Sequence, residues 1–183
     1  MMAHKPDGPL WIFAFGSLMW NPCFSFDKRE TATIFGWERK FHFWTILSRG
    51  SPEFPGLGLC LEKGIGNTSG VAYRLKQNSL KKDLNAIWSR EMGTGVYCPF
   101  WVKTTLKGGG EITALTFIIN RKHEQYSGPL PINQQAKIIA AAKGKYGSCR
   151  EYLANTVESL NRIGVNDDDL SNLLDKVDSF SFK

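Results

Sequence analysis

Phe13-Ala14-Phe15-Gly16-Ser17-Leu18-Met19-Trp20-Asn21-Pro22 carries an apolar run that breaks into Gly-Ser, and the rest of the chain is read outward from that break. Residues 11–15 are aromatic and β-branched enough for a buried strand, and Gly16 allows a sharp turn with no Cβ in the way. Successive backbone N–H groups after such a turn face one point. They form a concavity that holds a carboxylate or phosphate, to which Ser17 can add a hydroxyl donor. The same residues also suit an ordinary strand-to-loop turn. The stretch by itself leaves both readings open.

A chain of 183 residues is read as a single domain with its core between about 10 and 178, long enough to bury that core without staples. Hydrophobic residues make up 42% and charged residues 22%, the balance of a soluble globular protein. The N-terminal residues include an acid and a proline where a secretory signal needs a long apolar run. Residues 9–15 are too few to span a bilayer. Cytoplasmic residence is therefore expected, without a membrane partner. Cys23, Cys60, Cys98 and Cys149 are scattered with no C-x-x-C pair, so they are read as reduced, mostly packed thiols. His4, His42 and His123 stand in no ligand spacing, so no metal is expected. The net charge of +6 is dispersed along the chain, which points to mild attraction for a small acidic substrate rather than to nucleic acid.

The order of predicted elements is strand-rich first and helical last. Strands are expected at 31–37, with Gly36 as a bend or bulge, and at 39–46. A proline- and glycine-rich loop should cover 48–56, carrying Arg49, whose guanidinium can meet a carboxylate bidentately. Two further strands, 57–61 and 69–75, are expected to flank a turn at 63–67. A helix capped by Ser79 follows over 80–92, then a hairpin of 100–106 and 111–119 around Lys107-Gly108-Gly109-Gly110. A polar loop over 120–131 contains Tyr126. Three helices close the chain, the second opened by the S-x-x-E capping box of Ser148 and Glu151. In the third, Asp167, Asp168 and Asp169 complement the helix dipole rather than bind metal. The fold class that follows is α+β, a small mixed β-barrel or sheet with surrounding helices.

One residue breaks the pattern of the 80–92 helix. Glu91 lies seven residues after Leu84, four after Ile87 and three after Trp88, on the apolar face. A buried carboxylate either pairs or raises its pKa, and a raised pKa is what a proton shuttle near neutral pH requires. Alternatively, Glu91 bends out to solvent or pairs with Arg90 or Lys103. No nucleophile elbow, phosphate loop or complete dinucleotide fingerprint is present, and Cys23 has no base near it in sequence. What remains is an anion-binding turn, a helical Glu, and loop hydroxyl or guanidinium groups. That set lacks a protein nucleophile and suits a substrate that supplies its own.

Taken together, residues 13–22, Arg49-Gly50 with Pro55-Gly56, Gly70-Val71-Ala72-Tyr73-Arg74, Trp88-Ser89-Arg90-Glu91-Met92, Tyr126 and Tyr152-Leu153 resemble the ChaC-type γ-glutamylcyclotransferases over nearly the whole chain. The resemblance implies a small mixed barrel decorated with helices and cytosolic cleavage of glutathione to 5-oxoproline and Cys-Gly, with no metal or organic cofactor. It further implies that Phe13, Ala14, Phe15, Gly16, Ser17 and Leu18 form the substrate-binding loop. Glu91 then matches the catalytic acid/base, while Arg49 and Tyr126 match pocket-lining positions. The family usually has Tyr before Gly-Ser where this chain has Phe15, so substrate affinity is weaker here if that hydroxyl contributes.

Two other readings compete. One keeps the chemistry and changes the donor to γ-glutamyl amino acids or amines. The other is a non-enzymatic module that binds a γ-glutamyl ligand, or nucleic acid through the aromatic and basic residues of 37–49. A pure binder has no use for a carboxylate on the apolar face of a helix, which favours the enzyme.

Overall fold

The computed structural model describes residues 6–181. His4 and the rest of residues 1–5, the first part of the N-terminal segment without an apolar run, lie outside the described residues. Five strands, β1 (Trp11–Ala14), β2 (Phe26–Thr45), β3 (Gly56–Leu75), β4 (Tyr97–Leu106) and β5 (Glu111–Ile119), close into a barrel in the order β1-β3-β2-β4-β5. The sheet is mixed, since β1 runs antiparallel to β3 but parallel to β5. The chain divides into two compact units, one of Met1–Arg39 with Leu61–Asn120 and one of Lys40–Cys60 with Arg121–Lys183, and β2 and β3 each contribute to both.

In the first unit β1 is buried at all four positions, as its unbroken apolar run requires of a strand covered on both faces. A 3-10 turn, Ser17–Met19, follows it directly. The hairpin of β4 and β5 pairs from Tyr97 with Ile119 to Thr105 with Glu111, as the glycine run between them predicts. Helix α1 (Leu80–Glu91) precedes this hairpin. Ser79 stands at its N-cap, but the hydroxyl donates to the Asp83 carboxylate at 2.6 Å instead of accepting from the helix.

Two sequence expectations fail for one reason. Segments 31–37 and 39–45 belong to a single 20-residue strand, in which Gly36, at φ 78°, takes a backbone conformation that glycine allows without ending the strand. The turn expected at 63–67 is likewise the middle of β3, another 20-residue strand. Its groups are spent on the neighbouring strand: Gly66 N–H donates to Glu38 Oε1 and the Thr68 hydroxyl donates to the Trp37 carbonyl. Glycine at 64 makes room, since a methyl there would overlap the Glu38 carboxyl. These glycines mark close approach rather than reversal.

In the second unit, α2 (Ile132–Ala141), α3 (Cys149–Arg162) and α4 (Asp168–Ser181) bury Ala136, Ile139, Leu153, Leu160, Leu173 and Val177. The capping box at α3 forms by half, with Glu151 N–H donating to Ser148 Oγ at 3.1 Å. The acidic run behaves as a cap as well, because Asp167 Oδ1 accepts from Leu170 N–H. A two-stranded ribbon that the sequence reading missed, β6 (Lys143–Gly144) with β7 (Gly147–Ser148), joins α2 to α3. Cys60 and Cys149 are packed thiols, whereas Cys98 is exposed, in the half of β4 where no position is buried. No helix among the described residues is long and apolar enough to cross a membrane.

Candidate active site

The turn after β1 is held from behind by side chains that accept nothing from it and take its carbonyls. Thr116 Oγ donates to the Phe13 carbonyl at 3.1 Å, Arg39 Nε to the Phe15 carbonyl at 2.8 Å, and the Tyr73 hydroxyl to the Met19 carbonyl at 2.9 Å. All three donors are buried, so none of these bonds competes with water. Gly70 completes the support, since a methyl there would overlap the Ala14 carbonyl oxygen. Phe13, Ala14, Phe15, Gly16 and Leu18 are buried, and Ser17 is the turn residue that reaches the surface. The 3-10 geometry takes Met19 N–H to the Gly16 carbonyl and leaves the N–H groups of Ser17 and Leu18 without an acceptor among the described residues. With the carbonyls occupied behind it, the turn offers donors in front.

Helix α1 brings Glu91 into the same unit. The buried stripe of α1 runs through Asp83 and Ile87, and Glu91 continues it one turn later. Trp88, expected on that face, is instead 40% exposed, because the buried stripe is centred on Asp83 and Ile87 and Trp88 lies to its side. The Glu91 side chain is 14% exposed, and burial holds its pKa above the usual carboxylate range, partly offset by the Arg90 guanidinium. The end of a helix is electrostatically the wrong end for a carboxylate, so nothing in α1 itself calls for it.

Arg90 links the two parts. One terminal nitrogen donates to Ser17 Oγ at 2.8 Å and the other to the Asn21 carbonyl at 2.7 Å, while Nε stands 3.4 Å from Glu91 Oε1. The structure therefore brings Ser17 and Glu91 together through a residue that the sequence reading named as a possible partner of Glu91 and within the 88–92 stretch, but not as a contact of Ser17. Arg39, Tyr73 and Thr116 were missed as well. The available signal for Arg39 was a cation within an aromatic strand, and for Tyr73 its place in the 70–74 stretch that carries the resemblance; Thr116 gave none, because its role depends on which strand lies beside β1.

Arg49 and Tyr126 belong to the second unit. Arg49 donates to the Ser148 carbonyl at 3.3 Å, stands 3.4 Å from Glu151 Oε2, and lies over the Tyr152 ring at 5.5 Å. Its Nε and second terminal nitrogen have no partner among the described residues, so part of its fork remains available. Tyr126 forms an isolated bridge with Phe43 at the end of β2. A groove of about 760 Å³ in this unit is lined chiefly by Trp44, Ile46, Phe54, Pro55, Ile138 and Ala141. Its lining contains neither Arg49 nor Tyr126.

The fold is similar to that of a yeast γ-glutamyl cyclotransferase specific to glutathione, with a TM-score of 0.86 at 21% identity over 95% of this chain and 97% of that one. In sequence, the chain is 41% identical over 174 residues to the glutathione-specific γ-glutamylcyclotransferase of Escherichia coli, covering 94% of this chain and 75% of the relative. The human glutathione-specific γ-glutamylcyclotransferase 1 is 30% identical, with 92% and 78% covered. A family model described as ChaC-like protein matches residues 10–180, a span that takes in both units. The chain belongs to the ChaC-like family.

Proposed function

We propose that this protein is a γ-glutamylcyclotransferase that cleaves glutathione to 5-oxoproline and Cys-Gly in the cytoplasm, working as a single domain, with Glu91 as base and then acid. The observation that carries the reading is the Glu91 carboxyl: desolvated, with one oxygen facing Arg90, it has no other hydrogen bond or ion pair among the described residues. The names of the relatives in Escherichia coli and man supply the substrate class.

The chemistry needs no co-reactant. The γ-glutamyl α-amine attacks its own side-chain amide carbon, a C–N bond closes the five-membered ring, and the C–N bond to cysteine breaks. An α-amine has a pKa of about 7.7–8.0, so roughly a tenth to a fifth is neutral at pH 7. Glu91 removes the proton that the nitrogen carries after attack and returns it to the departing cysteine nitrogen, so one carboxyl serves both steps. A carboxylate whose pKa is raised by burial is the stronger base for this task.

Orientation does the rest, since a well-aligned intramolecular attack recovers about 7–11 kcal/mol of the barrier. In this reading the end of β1 and the turn after it, Phe13, Ala14, Phe15, Gly16, Ser17 and Leu18, form the substrate loop, and the open N–H groups of Ser17 and Leu18 hold the α-carboxylate. Arg49 and Tyr126 keep the substrate contacts that the resemblance implies, and the open nitrogens of Arg49 suit a carboxylate.

Incubation with glutathione, followed by detection of 5-oxoproline and Cys-Gly, tests the reading, with other γ-glutamyl amino acids and amines run alongside. Turnover of glutathione that disappears in Glu91→Gln at matched folding is the expected result. Turnover of the other donors alone refutes the substrate, a fully active Glu91→Gln refutes the acid/base role, and silence on every donor favours a binding module.

A further inference from the structure

We infer that Arg90 is the positioning residue of this site, directing the Ser17 hydroxyl proton toward substrate and fixing the Glu91 carboxyl in the same step. The inference rests on the cyclotransferase reading. Its basis is the geometry of one guanidinium with three partners: Ser17 Oγ at 2.8 Å, the Asn21 carbonyl at 2.7 Å and Glu91 Oε1 at 3.4 Å.

A serine hydroxyl has one proton to give and two lone pairs with which to accept. At Ser17 the guanidinium occupies an acceptor position, and the hydroxyl proton has no acceptor among the described residues. A cation bonded to the oxygen draws electron density from it and makes the O–H a stronger donor. Ser17 also opens the 3-10 turn whose first two N–H groups are unpaired, so the hydroxyl and those amides form one set of donors. Such a set suits a substrate carboxylate or the oxyanion of the tetrahedral intermediate.

At Glu91 the same guanidinium faces Oε1 and leaves Oε2 without a partner. No other ionised side chain among the described residues pairs with this carboxyl or hydrogen-bonds to it. Arginine stays charged at any working pH and cannot shuttle protons, which confines it to holding and polarising. Lysine carries the charge but lacks the planar fork that serves three fixed groups at once.

The test compares kcat, KM and the pH profile of 5-oxoproline release for the unaltered protein, Arg90→Gln, Arg90→Lys, Ser17→Ala and the double variant Ser17→Ala/Arg90→Gln, each checked for folding by circular dichroism. Arg90→Gln should lower kcat/KM about 10–100-fold and move the acid limb of the profile to higher pH, because the cation that favours ionised Glu91 is gone. Arg90→Lys should keep the acid limb in place and still lose rate. The Arg90→Gln change should cost several-fold less in the Ser17→Ala background than alone, since part of what it removes is already missing.

A tie that merely joins α1 to the turn predicts an unmoved acid limb, and that result overturns the inference. So does an Arg90→Gln protein within about twofold of the unaltered one. Should Arg90→Gln fail to fold, Arg90→Met takes its place, since it removes the cation as well, and its acid limb decides the matter. No release of 5-oxoproline by the unaltered protein defeats the cyclotransferase reading itself, whereas turnover with an indifferent Arg90 defeats only this role.

Discussion

Glu91 and Glu151 each stand 3.4 Å from an arginine, yet the two pairs differ in kind. The Glu151 side chain is 58% exposed and faces an arginine that also meets the Ser148 carbonyl and the Tyr152 ring. Water serves its carboxylate as well as the guanidinium does, so the pair fastens the 46–55 loop to the start of α3 with little energy in the charges. The Glu91 side chain is 14% exposed, its pKa is raised by burial, and its arginine is shared with Ser17 and the Asn21 carbonyl. Equal distances thus conceal unequal chemistry. Desolvation, rather than the ion pair, sets the first carboxyl apart and suits it to the proposed proton transfer, while the second is a fastening.

Exchange of each carboxyl for an amide is the most direct way to break this comparison. Glu91→Gln should reduce 5-oxoproline release about 10²–10⁴-fold, the span of a positioned acid/base. The first region also depends on its buried support. Arg39→Leu strips the donors from the Phe15 and Ser69 carbonyls and should lower the unfolding free energy by about 3 kcal/mol in urea titration.

A subtler effect follows from linkage. Because burial raises the folded pKa of Glu91, the stability tied to its protonated form is full below the ordinary value of 4.5 and is lost as pH rises through the folded pKa. Glu91→Gln should therefore melt higher than the parent at neutral pH, with the advantage vanishing below about pH 4. Melting curves at both pH values check the sign, and an advantage that persists in acid contradicts it. Least affected should be Glu151→Gln, within about 1 kcal/mol of the parent in stability. A larger loss there would erase the distinction between the pairs.

Legibility in the sequence followed the range of the interaction. The β4–β5 hairpin, α1 and the Ser148 cap of α3 were readable because glycine runs, apolar spacing and capping residues act within a few positions. The position of Glu91 on the buried stripe was readable for the same reason, although Trp88 was assigned to that face and lies outside it. The two 20-residue strands were misread. Gly64 and Gly66 look like punctuation in one dimension, and only a neighbouring strand shows that they admit Glu38.

By itself, the sequence determined the α+β class, the break from strand to turn at Gly16-Ser17 and a carboxylate on the inner side of α1. Each of these is set by local propensity and side-chain period. Only the tertiary structure decided that Thr116, Arg39 and Tyr73 take the carbonyls of the turn, leaving donors on its other side. It also decided that one guanidinium joins Ser17 to Glu91. Such contacts link residues as many as 103 positions apart, where no local rule reaches and the closure of the barrel chooses the neighbours.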